Sequence, residues 1–173
     1  MRKNKSNSIA LGGILSALVV VLLLLGNLLQ LFDLSMAALS GLIVLIAMIE
    51  LSPKGALGVY AVSAFLAILI SPQTASILFA AMVGYYPVAK VYLDKIKPKI
   101  LCYAVKFIWF NLILAAIAFL MVRLLGMGEE FTALGKWFFL LCNFSFFIFD
   151  LLLEKFAIIY IAKIRPRLPF GRK

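Results

Sequence analysis

Long uncharged runs alternate with short polar stretches along almost the whole chain. A helix needs about 20 apolar residues to cross the ~30 Å hydrocarbon core of a bilayer, and six runs come close to that length or exceed it. The pattern predicts an all-α, polytopic membrane helical bundle of about six transmembrane helices. The expected spans are residues 9–32, 34–51, 55–70, 74–96, 100–125 and 132–164, with a basic tail at 165–173.

The second and third segments are the shortest, and they leave one alternative open. A helical hairpin that enters and leaves the bilayer on the same side fits residues 34–51 and 55–70 nearly as well as two crossings. Such a hairpin would hold Lys54 inside the hydrocarbon, where a charge is expensive. Six full crossings are therefore the favoured interpretation.

The basic residues predict the orientation of the bundle. Short loops rich in Lys and Arg stay in the cytoplasm. The opposite loops hold only Arg123 and Lys136. Both termini are therefore expected in the cytoplasm, with the protein in the cell membrane. Thirteen of the 17 basic residues lie on the inner side: Arg2, Lys3, Lys5, Lys54, Lys90, Lys95, Lys97, Lys99, Lys163, Arg165, Arg167, Arg172 and Lys173.

Composition supports a membrane protein and argues against other classes. Of the 173 residues, 65% are hydrophobic, against roughly 45 to 50% in soluble domains. The segments consume nearly all of the sequence, so we expect one transmembrane domain, 1–173, without a soluble catalytic module. The net charge of +10 sits at segment ends and not on one basic face. This placement predicts membrane lipid, and not nucleic acid, as the partner.

Residues suited to catalysis or metal binding are scarce. The chain has no histidine, and Cys102 and Cys142 lie in different segments without CxxC spacing. Two free thiols and no cofactor or metal are expected. Neither a nucleophile elbow, nor a zinc-protease motif, nor a phosphate-binding loop occurs. We therefore expect a protein that is not an enzyme.

Ionisable residues inside the fifth and sixth segments are candidates for function, because charge in a membrane is costly. Asp150 and Glu154 are spaced i, i+4 and so share a helix face. Lys106 lies at a comparable depth from the cytoplasmic end of its segment. The residues predict an intramembrane ion pair of Lys106 with Asp150 or Glu154. A proton-coupled role for the two carboxylates is a further hypothesis.

A set of polar and aromatic residues is expected in the outer half of the bundle. They are either hydrogen-bonding links between helices or the lining of a solute site open to the exterior. The stretch Gly84-Tyr85-Tyr86-Pro87 adds a predicted kink in the fourth segment, since proline removes a helical hydrogen bond. The candidate contacts are Asn27, Gln30, Asp33, Tyr85, Trp137 and Asn143.

Small residues cluster at the cytoplasmic end of the first segment. Gly12/Ser16 and Gly13/Ala17 form two small-xxx-small pairs, which allow helices to approach closely. These pairs serve either packing within the chain or docking of a second membrane subunit.

Six short-looped helices, a basic N-terminus, these small residues and the acidic Asp33 loop resemble the substrate-binding S components of energy-coupling factor (ECF) transporters. In that family an AxxxA pattern of helix one docks on the transmembrane coupling subunit. The matching positions here are Gly13 and Ala17, with glycine in place of the first alanine. The family's ligands, typically vitamins, bind from outside. The resemblance would make four residues ligand contacts: Asp33, Tyr85, Trp137 and Asn143.

The resemblance implies a substrate-capturing subunit that works with a coupling subunit and ATPases and binds a small molecule. The chain has no P-loop of its own. The alternative hypothesis is a structural or assembly protein of the cell envelope that docks other membrane proteins on its helices.

Overall fold

A computed structural model of the chain describes residues 5–30, 32–125 and 128–167. Among these residues the regular secondary structure is helical, with short turns between the helices and no strand. The helices are α1 (Lys5–Leu29), α2 (Asp33–Glu50), α3 (Pro53–Ile70), α4 (Thr74–Leu78), α5 (Tyr86–Leu93), α6 (Lys99–Leu125) and α7 (Gly128–Ile159). A π-helical turn, Phe79–Val83, lies between α4 and α5, and a second one, Tyr160–Ile164, follows α7.

The predicted all-helical, polytopic bundle is confirmed. Five helical segments among the described residues are long and apolar enough to cross a membrane, and they coincide with the first five predicted spans. The sixth predicted span lies within α7 and the turn after it, although some side chains between residues 124 and 138 lie outside those described. Of the predicted basic tail, residues 168–173 also lie outside the described part.

The second and third predicted segments form helices of 18 residues each. At 1.5 Å per residue, each is about 27 Å long, close to the thickness of the hydrocarbon core. Lengths of this size favour two full crossings. The break between them has a local cause: Ser52 caps α3 by accepting a 3.1 Å hydrogen bond from the Gly55 amide, and Pro53 occupies the first turn.

The fourth segment is broken into two helices joined by a π-helical turn. The amide of Gly84 donates to the carbonyl of Phe79, five residues back, at 2.8 Å. This bond bypasses the carbonyl of Ala80, which instead accepts a 2.6 Å hydrogen bond from the hydroxyl of Tyr60. Pro87, which has no amide hydrogen, lies in the first turn of α5, where prolines are tolerated. The irregularity therefore begins upstream of the predicted kink.

The chain divides into two compact units. The first contains residues 1–91 and 153–173, and the second contains residues 92–152. In the first, α1 packs against α2, α3 and α4. Its core combines large residues such as Leu23 and Phe79 with fully buried alanines such as Ala47 and Ala67. Small residues at these positions let the helices approach closely, so that van der Waals contacts hold them together in a membrane, where the hydrophobic effect does not drive helix association.

The second unit joins α6 to the N-terminal part of α7. The rings of Phe110 and Phe146 stack at a centroid distance of 4.3 Å. Phe107 meets the same Phe146 edge-on at 5.8 Å. Outward-facing apolar side chains such as Ile108 and Leu112 are well exposed, as expected for helix faces that meet lipid.

Candidate functional site

A hydrogen-bonded network at the predicted outer end of the first unit centres on Asn27 of α1. Its amide nitrogen donates to the Ser76 hydroxyl at 2.8 Å and lies 3.1 Å from both the carbonyl and the hydroxyl oxygens of Ser71. Its amide oxygen accepts from the backbone N–H of Ala75 at 3.1 Å, in the first turn of α4. Asn27 therefore ties α1 to the connection between α3 and α4.

Gly26 explains how this network can form. A Cβ at this position would lie 2.9 Å from the Cβ of Met36 and 3.1 Å from the Cβ of Ala75. Only a glycine leaves room for α2 and α4 to come this close to α1. The close approach brings Asn27 within hydrogen-bonding distance of the α4 backbone.

Replacing Asn27 with alanine is expected to lower the free energy of unfolding by about 1–3 kcal/mol, since it removes the partner of a buried backbone N–H. Thermal unfolding in detergent would measure the effect. Asn7→Ala is the matched control, because Asn7 is an exposed asparagine on the same helix. Equal midpoints for the two variants would contradict a structural role for the Asn27 network.

Two other predicted contacts lie beside this end of α1. Gln30 is exposed and has a left-handed backbone conformation, with φ of 54°. Its backbone N–H donates a 2.9 Å hydrogen bond to the carbonyl of Gly26, which ends the helix. Asp33 opens α2, where a carboxylate is favoured by the helix dipole. Its Oδ1 is buried and has no hydrogen-bond partner among the described residues. Gln30 therefore ends α1, and Asp33 begins α2.

Tyr85 lies at the broken fourth segment, in an aromatic cluster with Tyr60 and Phe79. The ring of Tyr60 is 5.8 Å from that of Phe79 and 6.0 Å from that of Tyr85. Gly84 packs against this cluster, and a Cβ there would lie 2.5 Å from Tyr60 Cδ2. Packing around the π-helical turn therefore requires the glycine at position 84, and Tyr85 meets the Tyr60 ring edge-on.

The small-residue pairs of α1 face in two directions. Ser16 is buried, and a Cβ at Gly12 would lie 3.7 Å from Leu51 and 3.9 Å from Val59, so Gly12 and Ser16 face the core. Ala17 is exposed, and nothing lies within 4 Å of a Cβ built at Gly13. Gly13 and Ala17 therefore present a flat strip on the outside of the first unit.

The remaining predicted solute contacts lie in the second unit. Asn143 of α7 and Asn111 of α6 exchange two amide hydrogen bonds, at 2.8 and 3.0 Å. Each amide nitrogen also donates to the carbonyl four residues earlier, Phe107 for Asn111 and Phe139 for Asn143. Asn143 thus links α6 to α7, whereas Trp137 is 75% exposed.

A buried charge cluster in the same unit contains Lys106 and Asp150. Lys106 is 2% exposed and Asp150 is 1% exposed. The Lys106 Nζ lies 3.2 Å from each Asp150 carboxylate oxygen. It also lies 2.5 Å from Oδ1 of Asp94, whose side chain is 44% exposed, and 5.3 Å from the ring centroid of Tyr103. Glu154, the other predicted partner, is exposed.

A second ion pair lies at the other end of the first unit. The Nε of Arg165 is 3.1 Å from Oε1 of the buried Glu50, at the end of α2. Tyr160 is buried and hydrogen-bonds the same carboxylate. The end of the last helix is therefore held against the end of α2.

Sequence reasoning missed Asp94, Tyr60 and Arg165 as partners. Asp94 carries a signal in retrospect, because it is the single acidic residue among four lysines between positions 90 and 99. Tyr60 and Arg165 carry none, since an aromatic in an apolar run and an arginine after a span are both common.

Comparisons of the chain with protein-family models, curated protein sequences and solved structures give no match. The class that the fold and composition define is a multi-pass helical membrane protein.

Proposed function

We propose that the protein is the membrane-embedded, substrate-capturing subunit of an importer of the ECF type. It takes up a small solute such as a vitamin from outside and passes it to a coupling subunit driven by partner ATPases. The observation that carries this proposal is the split of the small residues of α1. The inward pair packs the first unit, whereas Gly13 and Ala17 are left uncovered by that unit.

The uncovered strip suits a second membrane helix. Without aqueous driving force, membrane helices associate through close van der Waals contact, which small residues permit. Ala10 is also exposed on α1, one turn before Gly13. The positive-inside pattern predicts that this part of α1 lies near the cytoplasm, on the side where a nucleotide-driven partner must act.

The proposed solute contacts divide into two roles. In the first unit, Gln30, Asp33 and Tyr85 are the proposed contacts, and Asn27, whose amide is engaged within that unit, positions the backbone beside them. In the second unit, Trp137 is a separate proposed contact, and the Asn143 amide is engaged with Asn111. The polar groups left at Gln30 and Asp33 favour a ligand with hydrogen-bond donors.

Gly13→Leu is expected to abolish copurification with a coupling subunit while leaving the fold unchanged, because the leucine would fill the gap that a docked helix needs. Gly58→Leu is the matched control. A Cβ at Gly58 also meets nothing within 4 Å, but it lies on α3 and outside the proposed strip. Pull-down from native membranes, followed by mass spectrometry, measures the loss.

Three outcomes would contradict the proposal. One is that no coupling subunit or ATPase copurifies with the unaltered chain. Another is that Gly13→Leu and Gly58→Leu behave alike. The third is that morphogenesis or division proteins copurify in their place, which is what the envelope scaffold hypothesis predicts.

A further inference from the structure

The loop between α5 and α6 is fastened to the buried charge cluster of the second unit. Asp94 lies at the beginning of this loop, and its Oδ1 contacts Lys106 Nζ at 2.5 Å. Lys106 is itself held by Asp150 of α7. One ammonium group thus connects three parts of the unit, namely the loop, α6 and α7.

The two carboxylates on Lys106 differ in their access to water. The Asp150 side chain is 2% exposed, so separating it from Lys106 would leave a charge in an apolar surrounding. The Asp94 side chain is 44% exposed, so water can hydrate its carboxylate when it leaves Lys106, and the buried ammonium then keeps Asp150 as a partner. Of the two carboxylates, Asp94 is therefore the one that can exchange Lys106 for water.

We propose that the Asp94–Lys106 contact is a releasable latch that closes the α5–α6 loop over the buried Lys106–Asp150 pair. When the latch opens, Asp94 turns to the solvent and the loop loosens, while Lys106 keeps Asp150 neutralised inside the helix pair. A second contact limits the movement: the Cys102 thiol lies 3.3 Å from the Leu93 carbonyl oxygen, just before the loop, and 3.8 Å from Oδ1 of Asp94 itself. The latch does not depend on the proposed importer function.

Amide hydrogen exchange on the purified full chain in detergent tests the latch. Asp94→Asn is expected to raise exchange about fivefold in the segment 94–102, which is the effect of losing one half-exposed ion pair. The segment includes the amides of Lys95, Ile96 and Cys102, which hydrogen-bond at 3.0 to 3.3 Å within it or to the end of α5. Exchange elsewhere in α6 and α7 should stay unchanged, because Lys106 still holds Asp150.

Two further variants make the result specific. Asp94→Glu keeps the charge and is expected to retain the slow exchange of the segment. Glu154→Gln removes an exposed carboxylate one turn beyond Asp150 and should leave the segment as it is. Unchanged exchange in Asp94→Asn would overturn the latch. Faster exchange throughout α6 and α7 would also overturn it, because Asp94 would then be a structural part of the helix pair.

Discussion

Lys106→Met is expected to lower the free energy of unfolding by about 3–5 kcal/mol, the largest effect of any single substitution we consider. The side chain is almost fully buried within the candidate span Lys99–Phe119, and it is the cation that Asp94 and Asp150 share. Methionine has a similar volume but no charge, so the change isolates the electrostatic loss. Reversible unfolding in mixed micelles would measure it.

Two comparison variants separate the ion pair from other causes. Lys155→Met removes an exposed lysine on α7 and should change stability little. Lys106→Met combined with Asp150→Asn should recover stability to within about 1 kcal/mol of the original chain, because a buried pair replaced by neutral groups is often nearly neutral. A single Lys106→Met variant as stable as the original would show that the cluster does not hold the unit together.

Gly84→Ala is expected to destabilise the first unit by about 1–3 kcal/mol through overpacking. The new Cβ would lie 2.5 and 2.8 Å from two carbons of the Tyr60 ring and 2.8 Å from Phe79 Cζ. The Tyr60 ring has little freedom to withdraw, since its hydroxyl is bonded to the Ala80 carbonyl in the π-helical turn. Because Gly84 has ordinary helical φ and ψ, space and not backbone conformation requires glycine here.

Gly58→Ala gives the opposite sign and serves as the control for Gly84→Ala. This position is in the interior of α3, with nothing within 4 Å of the added methyl group. The higher helix propensity of alanine should raise stability by up to about 1 kcal/mol. Thermal unfolding of both variants in the same detergent measures the difference. Equal shifts for the two would contradict the packing described around the π-helical turn.

The helices themselves could be predicted from the sequence because apolar run length and membrane thickness set them almost alone. The first five expected spans match the candidate spans to within three residues at each end, except that the fifth was expected to end at residue 125 and its candidate span ends at Phe119. The exception is the interior of the fourth segment. Pro87 predicts a kink, but the break at Phe79–Val83 also requires the Tyr60 hydroxyl and the close fit at Gly84, which depend on how α3 packs.

The faces and partners of individual residues could not be predicted to the same degree. Gly12 and Gly13 are adjacent, so about 100° of helix rotation separates them, and only the packing of α2 and α3 determines which one is covered. The sequence left two roles open for Asn27 and Asn143, namely solute binding and hydrogen bonding between helices. In the structure their amides are engaged within the chain. Asp94 was missed because its place among four lysines between positions 90 and 99 indicates a local charge partner and not the buried Lys106.

The most direct test of the proposed function is a native mass spectrum. The protein is purified from its own membranes in detergent and released from the detergent under gentle conditions. The importer account predicts a population heavier than the bare chain by the mass of one small molecule, and a further population bound to a coupling subunit. A spectrum of the bare chain alone, or of the chain bound only to envelope-assembly proteins, would contradict that account.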